Sequence, residues 1–256
     1  MSKGKKTVWI TGASAGIGME TSLLLAENGY RLILSARRKK PLEELSEKIH
    51  RRTGTPAWIV PLDVSDRIAV DKAVGTLPAE WAQVDILINN AGLAAGLDHL
   101  QEGDINDWER MIDTNIKGLL YMTRSLLPGM VERGHGHVVN LGSIAGKEVY
   151  ERGNVYCATK HAVDALSRAM RIDLLSHGIR VTNIAPGLVE TEFSLVRFKG
   201  DARKAKDPYR GMTPLNGRDV AETILFAITR PPHVCINDLV ITPTAQANSY
   251  YVQRHE

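Results

Sequence analysis

The sequence predicts an α/β fold, a single doubly wound Rossmann-type domain over residues 1–256, with a parallel sheet of about seven strands and helices on both faces. Short apolar runs alternate with segments of helical periodicity along almost the whole chain. A glycine-rich turn follows the first apolar run, and no repeat, linker or low-complexity segment interrupts the alternation. This alternation is typical of parallel sheets, because a parallel pair of strands needs a long crossover that is usually a helix.

The predicted strands are short apolar runs, and the predicted helices carry apolar residues at three- to four-residue spacing. We place strands at residues 7–10, 31–35, 58–62, 84–88, 137–143, 179–185 and 239–241. The first helix stops at Asn28 and Gly29, and later helices cover residues 42–52, 68–77, 105–132, 155–176 and 219–229. Residues 192–216 are polar and basic without clear periodicity, so we expect the segment around 190–216 to form a mobile substrate lid.

Composition and charge exclude several kinds of partner. The formal net charge of +3 is small for 256 residues, so nothing indicates nucleic-acid binding. The two cysteines have no metal-ligand spacing, and we expect neither a metal site nor a disulfide framework. No apolar run reaches the roughly 20 residues that span a bilayer, and no apolar signal segment precedes the first strand. We therefore expect a cytoplasmic protein that does not bind membranes.

Residues 11–18 form a glycine-rich turn between the first strand and the first helix. Glycines permit a tight turn and bring the backbone close to a phosphate, and the N–H groups at the start of a helix bind an anion. The spacing alone also occurs in merely flexible turns, but its position between a strand and a helix favours a dinucleotide site. The predicted cofactor-binding residues of this turn are Gly12, Ser14, Gly16, Ile17 and Gly18.

The end of the second strand indicates which dinucleotide binds. In this class of fold an acidic residue near this point holds a ribose 2′-hydroxyl, whereas an arginine accommodates a 2′-phosphate. Here the strand is followed by Arg37 and Arg38, with no Asp or Glu at that point. Guanidinium groups are suited to phosphate, so we predict NADP over NAD. A solvated basic loop is the alternative explanation for the same two residues.

Two further strand ends carry candidate cofactor residues. Asp63 and Val64 follow the third strand, where Asp63 is suited to accept a hydrogen bond from the adenine amine. Equally, Asp63 or Ser65 is suited to cap the next helix. The fourth strand ends in the candidates Asn89, Ala91 and Gly92. Their position beside the glycine-rich turn favours support of the cofactor pocket over plain turn chemistry.

A tyrosine and a lysine in the helix predicted at 155–176 form the candidate catalytic pair. Tyr156 and Lys160 are four residues apart, so their side chains share one helix face, although such pairs are also common on solvated helices. The pKa of a tyrosine is ordinarily about 10, and we expect an ammonium group beside the phenol to lower it. Ser143 is then suited to hold a substrate oxygen while Tyr156 transfers a proton. Asn115 interrupts a run of better helix formers, which indicates a partner or a function for its side chain.

These motifs, found together and in this order, resemble the short-chain dehydrogenase/reductase family over essentially the full chain. The resemblance implies that Tyr156 is the catalytic acid and base and that Lys160 lowers its pKa and holds the nicotinamide ribose. It implies that Ser143 orients the substrate oxygen and that Asn115 supports a water in a proton relay. A segment bordering the nicotinamide is also implied, with the candidate residues Pro186, Gly187, Val189 and Thr191. A homotetramer through the helices 105–132 and 154–177 is implied as well.

Segments around Tyr150, Val196 and Pro243 resemble, within that family, the NADP-dependent 3-hydroxy acid dehydrogenases. The resemblance implies hydride transfer between the nicotinamide and C3 of a small 3-hydroxy acid of the serine, allo-threonine or 3-hydroxybutyrate type. A broader NADP-dependent carbonyl or 3-oxoacyl reductase is an alternative. A non-catalytic NADP-binding regulator is a more distant one, because a pure binder has no need of the catalytic set.

A hydroxy acid brings a carboxylate into the site, and an unpaired buried charge is costly. We expect the substrate hydroxyl at Ser143 and Tyr156. The carboxylate is expected at one or more of Arg152, Arg197 and Lys199, each of which is otherwise explained as surface charge.

Overall fold

The computed structural model describes residues 6–255, and in them one sheet of seven parallel strands forms the centre of the fold. In chain order the strands are β1 (Thr7–Thr11), β2 (Arg31–Ala36), β3 (Ala57–Pro61), β4 (Ile86–Asn89), β5 (Gly136–Leu141), β6 (Ile179–Pro186) and β7 (Asp238–Ile241). All six neighbouring pairs run parallel, and the predicted doubly wound sheet is confirmed.

The strand order across the sheet is β3-β2-β1-β4-β5-β6-β7, so the direction of winding reverses between β1 and β4. Val8 of β1 is aligned with Leu32 of β2 on one side and with Ile86 of β4 on the other. Loops that leave β1 and β4 therefore diverge to opposite faces of the sheet and leave a crevice at its carboxyl edge. Such reversal points are where open α/β sheets bind ligands.

Ten α-helices lie in the described residues: α1 (Gly16–Glu27), α2 (Lys39–Thr53), α3 (Arg67–Gly75), α4 (Ala79–Ala82), α5 (Ile105–Ile112), α6 (Leu119–Arg133), α7 (Asn154–Asp173), α8 (Phe193–Arg197), α9 (Ala202–Lys206) and α10 (Gly217–Ile228). Within residues 6–255 none of these helices has the length and apolar character needed to cross a bilayer.

Two apolar layers cover the sheet because successive side chains of a strand point to opposite faces. Val8 and Ile10 of β1 pack on the side of α1, α2 and α10, whereas Trp9 packs on the side of α3, α6 and α7. All three are fully buried. Burial of a side chain of this size contributes roughly 1.5–3 kcal/mol, so both layers stabilise the sheet that positions the crevice.

The predicted helix 105–132 is interrupted in the structure. Residues Asp113–Gly118 form a π-helical turn between α5 and α6, and Asn115 lies in this turn. Its side chain is bonded in both directions to the backbone of Leu93, which holds the widened turn in place. Gly118 ends the turn against Val64, whose Cγ2 atom would lie 2.6 Å from a Cβ at that position. π-Helical turns of this kind occur frequently at functional sites.

The predicted lid is more regular than its sequence indicates. Residues 192–216, which show no clear periodicity, contain α8, α9 and the 3-10 turn Asp207–Tyr209. The side chain of Asp201 caps α9 by accepting from the backbone N–H groups of Arg203 and Lys204. Helices of five residues are too short to produce a clear apolar period, which is why pattern analysis does not find them.

The buried residue His137 of β5 makes the stability of the fold depend on pH. Its Nε2 atom lies 2.8 Å from Thr182 Oγ1, its Nδ1 atom has no partner among the described residues, and the ring is buried. Burial lowers the pKa of His137 to about 3, with smaller contributions from Arg180 and Lys6. The unfolded chain takes up a proton near pH ~6.5 and the folded chain does not, so folding stability falls as pH decreases from about 6.5 towards 3.

We therefore expect His137→Gln to flatten the pH dependence of unfolding below pH ~6.5, where the histidine costs up to about 1.4 kcal/mol per pH unit. Urea denaturation followed by tryptophan fluorescence measures this dependence. The exposed His135 supplies the matched control, since His135→Gln removes a neighbouring histidine that is not buried. If the free energy of unfolding of His137→Gln depends on pH as steeply as that of the wild type, His137 is not the source of this pH dependence.

Candidate active site

A cavity of about 730 Å³ opens at the carboxyl edge of the sheet. Residues that follow the ends of β1, β2, β3, β4, β5 and β6 line it, together with residues of α7, α8 and the C-terminal segment. The predicted residues found on its walls are Gly12, Ser14, Gly16, Ile17, Arg37, Arg38, Asp63, Val64, Ala91, Gly92, Ser143, Tyr156, Lys160, Pro186, Gly187, Val189, Thr191 and Arg197. The predicted residues that do not line it are Gly18, Asn89, Asn115, Arg152 and Lys199.

The glycine-rich turn has the backbone that a phosphate site requires. Gly12 and Gly16 have φ angles of 65° and 54°, in the left-handed region that favours glycine. A Cβ at Gly12 would lie 2.9 Å from Asn90 Nδ2, and a Cβ at Gly18 would collide with the carbonyl oxygen of Gly12. Gly18 therefore allows α1 to pack closely against the turn at Gly12, and it does not line the cavity. Helix α1 begins at Gly16 without a capping side chain or an acidic residue in its first turn, so its N–H groups suit a diphosphate.

The two asparagines at the end of β4 differ in where their side chains lie. Asn89 is buried in the sheet, where its Nδ2 donates to Thr123 Oγ1 at 2.9 Å and to Asn140 Oδ1 at 3.0 Å. The side chain of Asn89 therefore does not line the cavity, and its contact with the cofactor stays a prediction. Asn90 lines the cavity instead, and its Nδ2 donates to the carbonyl oxygens of Thr11 and Gly12 at 2.9 and 3.1 Å. The period-2 alternation of side chains along β4 is the signal that distinguishes the two.

The predicted adenine end of the cavity is polar and open. Arg37 and Arg38 are exposed at its rim, and Arg38 Nη2 lies 3.4 Å from Glu192 Oε2. Both side chains of this pair are about 60% exposed, so the pair contributes little stability and leaves the guanidinium group available to a phosphate. Asp63 also lines the cavity, and its Oδ1 accepts from the backbone N–H and hydroxyl of Ser65 at 3.0 and 2.7 Å.

The alternative role for Asp63 or Ser65, capping of the next helix, is taken by a different residue. Asp66 is the N-cap of α3, and its Oδ1 accepts from Ala69 N at 3.0 Å. Asp63 lines the cavity wall instead, and its hydrogen bond to an adenine amine stays a prediction.

Ser143, Tyr156 and Lys160 meet at the centre of the cavity. Ser143 Oγ accepts from Ala145 N at 3.1 Å and donates to the carbonyl oxygen of Pro186 at 3.5 Å. Lys160 is 7% exposed, and its Nζ donates to the carbonyl oxygen of Leu141 at 2.7 Å. The same Nζ lies 6.0 Å from the centre of the Tyr156 ring.

The ionisation of this group differs from the sequence-based prediction. Burial raises the pKa of Tyr156, and Tyr150 adds to the rise, whereas the Ser143 hydroxyl and the Arg197 guanidinium oppose it. Burial also lowers the pKa of Lys160 to about 8. The expected lowering of the Tyr156 pKa by Lys160 is not found, because Nζ is bonded to Leu141 and lies away from the phenol. A raised pKa favours the neutral phenol of Tyr156, the form that donates a proton to a carbonyl oxygen.

Asn115 lies behind the cavity wall. Its Oδ1 accepts from Leu93 N at 2.8 Å, and its Nδ2 donates to Leu93 O at 2.8 Å and to Thr159 Oγ1 at 3.0 Å. Only 2% of its surface is exposed. A Cβ placed on Gly92 would lie 3.2 Å from Asn115 Oδ1 and 3.7 Å from Lys160 Nζ. The amide of Asn115 thus supports the wall at Gly92 and does not itself reach the cavity.

Arg197 is the one of the three predicted carboxylate-binding residues that faces the cavity. Its Nη1 donates to Tyr150 Oη at 2.9 Å, and its Cζ lies 5.5 Å from the centre of the Tyr156 ring. Its Nε and Nη2 atoms are buried and have no hydrogen-bond partner among residues 6–255. Buried N–H donors without acceptors are costly, and an oxyanion that reached these two atoms would satisfy them.

Arg152 and Lys199, the other two predicted carboxylate-binding residues, do not line the cavity. Arg152 is exposed, and its Nε lies 3.3 Å from His99 Nε2. Lys199 Nζ lies 2.8 Å from Asp107 Oδ2 and 3.5 Å from Asp104 Oδ2. Each basic group therefore has a partner of its own outside the cavity. Both residues have left-handed backbones, with φ angles of 63° and 51°, a conformation that sequence spacing does not reveal.

Comparison with known proteins identifies the family. Residues 6–201 match the family model for short chain dehydrogenases, and the chain belongs to this family. It is 47% identical over 241 residues to an NADP-dependent 3-hydroxy acid dehydrogenase of Escherichia coli strain K12, covering 94% of this chain and 96% of that protein. It is 44% identical over 245 residues to a sulfoacetaldehyde reductase of Chromohalobacter salexigens, covering 95% and 96%. The solved structure of the closed form of serine dehydrogenase complexed with NADP+ superimposes with a TM-score of 0.92 at 45% identity, covering 98% of this chain and all of that one.

The position of Tyr156 predicts the effect of removing its hydroxyl. We expect Tyr156→Phe to lower kcat by roughly 10²–10⁴-fold, the usual contribution of a general acid–base group, with NADP affinity nearly unchanged. Cofactor absorbance measures turnover, and quenching of protein fluorescence measures affinity. Tyr121→Phe, in α6 and away from the cavity, is the matched control. Near-normal turnover by Tyr156→Phe would show that Tyr156 is not the group that transfers the proton.

Arg37 and Arg38, the rim arginines, are expected to determine the preference for NADP over NAD. We expect Arg37→Gln with Arg38→Gln to weaken NADP binding by one to a few orders of magnitude, because each charge-assisted bond contributes roughly 1.5–3 kcal/mol at best. NAD binding is expected to change little. The control is Lys39→Gln with Lys40→Gln, which removes the same charge from the adjacent first turn of α2, outside the cavity. Equal losses of affinity for NADP and for NAD would show that Arg37 and Arg38 do not recognise the 2′-phosphate and are ordinary surface charges.

Proposed function

We propose that this protein is an NADP-dependent oxidoreductase that moves a hydride between the nicotinamide and C3 of a small 3-hydroxy acid. The observation that carries the proposal is the pair of unpartnered donors on Arg197, in the same cavity as Ser143 and Tyr156. The similar dehydrogenase of Escherichia coli and the serine dehydrogenase complexed with NADP+ support the cofactor and the substrate class.

The chain provides a place for each part of the cofactor. The glycine-rich turn and the start of α1 would hold the diphosphate, and the rim arginines would hold the 2′-phosphate. Lys160 would bind the nicotinamide ribose, with Pro186 and Gly187 beside the ring. When bound, the nicotinamide accepts or supplies the hydride, and the protein supplies orientation and proton transfer.

The protein's own groups act on the substrate oxygen. Ser143 Oγ holds the oxygen by a hydrogen bond, and Tyr156 Oη donates a proton to it in reduction or accepts one in oxidation. Arg197 would hold the substrate carboxylate through Nε and Nη2, since a guanidinium group matches a carboxylate by two parallel bonds. The bond from Nη1 to Tyr150 Oη fixes one nitrogen of the guanidinium group, and Nε and Nη2 keep no acceptor among the described residues.

The segment 190–216 is proposed as the cover of this site. Helix α8 carries Arg197 and lines the cavity with Phe193, whose ring centre lies 5.8 Å from that of Tyr156. The backbone of Arg197 accepts from Gly96 N at 3.1 Å, and Lys199 pairs with Asp107 of α5. These contacts would hold the cover over a bound substrate and exclude water from it.

We also propose a cytoplasmic homotetramer assembled through the helices 105–132 and 154–177. Exposed apolar side chains on or beside these helices support the assembly, namely Ile112, Leu120, Ile172 and Leu175. Ile172 and Leu175 are more than three-quarters exposed in the single chain, and burial against a second copy would remove this surface from water.

A sulfonate is a second candidate for the anion at Arg197. The chain is also similar to a sulfoacetaldehyde reductase, and a sulfonate oxygen pair accepts the same two N–H donors as a carboxylate. Comparison of kcat/KM for sulfoacetaldehyde and for a 3-oxo acid distinguishes the two classes, because both depend on Arg197 but differ in the size of the anion.

Substrate charge is the feature that tests the proposal. For 3-hydroxybutyrate, we expect kcat/KM to exceed that of its methyl ester at least tenfold, equivalent to about 1.4 kcal/mol. Arg197→Met is expected to abolish this preference, mainly by raising KM for the acid, with little effect on the ester.

The matched control is Arg203→Met, which removes the same guanidinium charge from an exposed position on α9, outside the cavity. It is expected to retain the preference for the acid. If the wild type turns over acid and ester equally well, the protein does not recognise the carboxylate, and the broader carbonyl reductase becomes the favoured function. Absence of NADP-dependent turnover on the hydroxy acids, the esters and a panel of carbonyl compounds would favour the non-catalytic regulator.

A further inference from the structure

Thr159 occupies a buried position between the two catalytic side chains of α7. It follows Tyr156 by three residues and precedes Lys160, and only 1% of its surface is exposed. It does not line the cavity. Its hydroxyl nevertheless makes two hydrogen bonds, to Tyr156 O at 2.8 Å and to the amide of Asn115 at 3.0 Å.

The directions of these bonds follow from the groups available. Asn115 Oδ1 must accept from Leu93 N, and Nδ2 must donate to Leu93 O, which fixes the orientation of the amide. The second N–H of Nδ2 then donates to Thr159 Oγ1. Because that oxygen is an acceptor towards Asn115, its own proton is donated to the carbonyl of Tyr156. The four groups form a single directed series from Leu93 to the catalytic helix.

A threonine hydroxyl bonded to a carbonyl in the preceding turn of its own helix is common and needs no function. The bond to Asn115 is different, because it joins α7 to the π-helical turn, and through Leu93 to the loop after β4. That loop includes Gly92, against which both Asn115 Oδ1 and Lys160 Nζ pack. A displacement of Asn115 would therefore move the wall that Lys160 contacts.

We propose that Thr159 is a positioning residue whose hydroxyl sets the distance between the Gly92–Leu93 wall and the catalytic helix. Loss of the hydroxyl leaves one buried N–H of Asn115 without a partner and frees the π-helical turn to shift. Tyr156 and Lys160 remain on α7, but their placement relative to the nicotinamide side of the cavity is no longer fixed. The inference rests on the proposed reaction and on no particular substrate.

The test compares Thr159→Val, which keeps the shape and removes the hydroxyl, with Thr159→Ser, which keeps the hydroxyl. Thr123→Val is the matched control, since Thr123 is a buried threonine whose hydroxyl also accepts from an asparagine amide, that of Asn89, at 2.9 Å. Each variant is assayed for kcat and KM with NADP+, for NADPH affinity by fluorescence, and for melting temperature. Amide hydrogen exchange of Leu93 supplies a readout that does not depend on turnover.

We expect Thr159→Val to lower kcat about tenfold, to leave NADPH affinity and KM within about twofold, and to accelerate exchange at Leu93. Thr159→Ser is expected to restore kcat to within about twofold of the wild type, and Thr123→Val to change neither kcat nor exchange at Leu93. If Thr159→Val does not fold, Thr159→Ala, which is smaller, must show the same losses.

Wild-type kcat in Thr159→Val or in Thr159→Ala would overturn the proposal. An equal loss in Thr159→Ser or Thr123→Val would do so as well, since it would reflect general destabilisation of the core. Should the wild type itself lack turnover on the acids tested, the proposed function fails. Unchanged exchange at Leu93 in Thr159→Val would then still overturn the positioning role, and accelerated exchange would support it.

Discussion

The bond between Asn90 and the backbone of the glycine-rich turn is the contact on which the cavity depends. Its amide donates to two successive carbonyl oxygens of the turn after β1, and thereby joins that turn to the end of β4. Thr11 Oγ1 adds two bonds in the same place, from the N–H groups of Asn90 and Ala91. Because these bonds satisfy backbone groups at the point where the sheet reverses direction, the two strand ends remain together while the helices diverge.

Three polar side chains around this centre are held by the protein's own groups, whereas Arg197 has buried donors that are not. Ser143, Lys160 and Asn115 each have a protein partner within 3.1 Å, so their positions are set before a ligand arrives. Arg197 keeps two buried donors without acceptors among the described residues. A rigid set of groups beside an unsatisfied cation is an arrangement that favours the binding of an anion.

The fold and the core of the site follow from sequence patterns, because those patterns are local. Seven apolar runs separated by helical periods specify the parallel sheet, and the four-residue spacing of Tyr156 and Lys160 specifies a shared helix face. Roles that depend on the direction of a side chain beyond a strand or helix end are different. The side chain of Asn89 is buried in the sheet while that of Asn90 lines the cavity, and Lys199, whose backbone is left-handed, pairs with Asp107. The π-helical turn at Asn115 is another such case, since it is stabilised by Leu93, which is distant in sequence.

The short helix α8 has a consequence for how this enzyme type diversifies. Five residues, Phe193–Arg197, carry both the side chain proposed to recognise an anion and part of the cavity cover. The glycine-rich turn, Arg37, Arg38 and the proposed catalytic pair Ser143 and Tyr156 all lie on other elements. Replacement of one and a half helical turns can therefore exchange the charge and the size of the accepted substrate without a change in the elements that hold the cofactor.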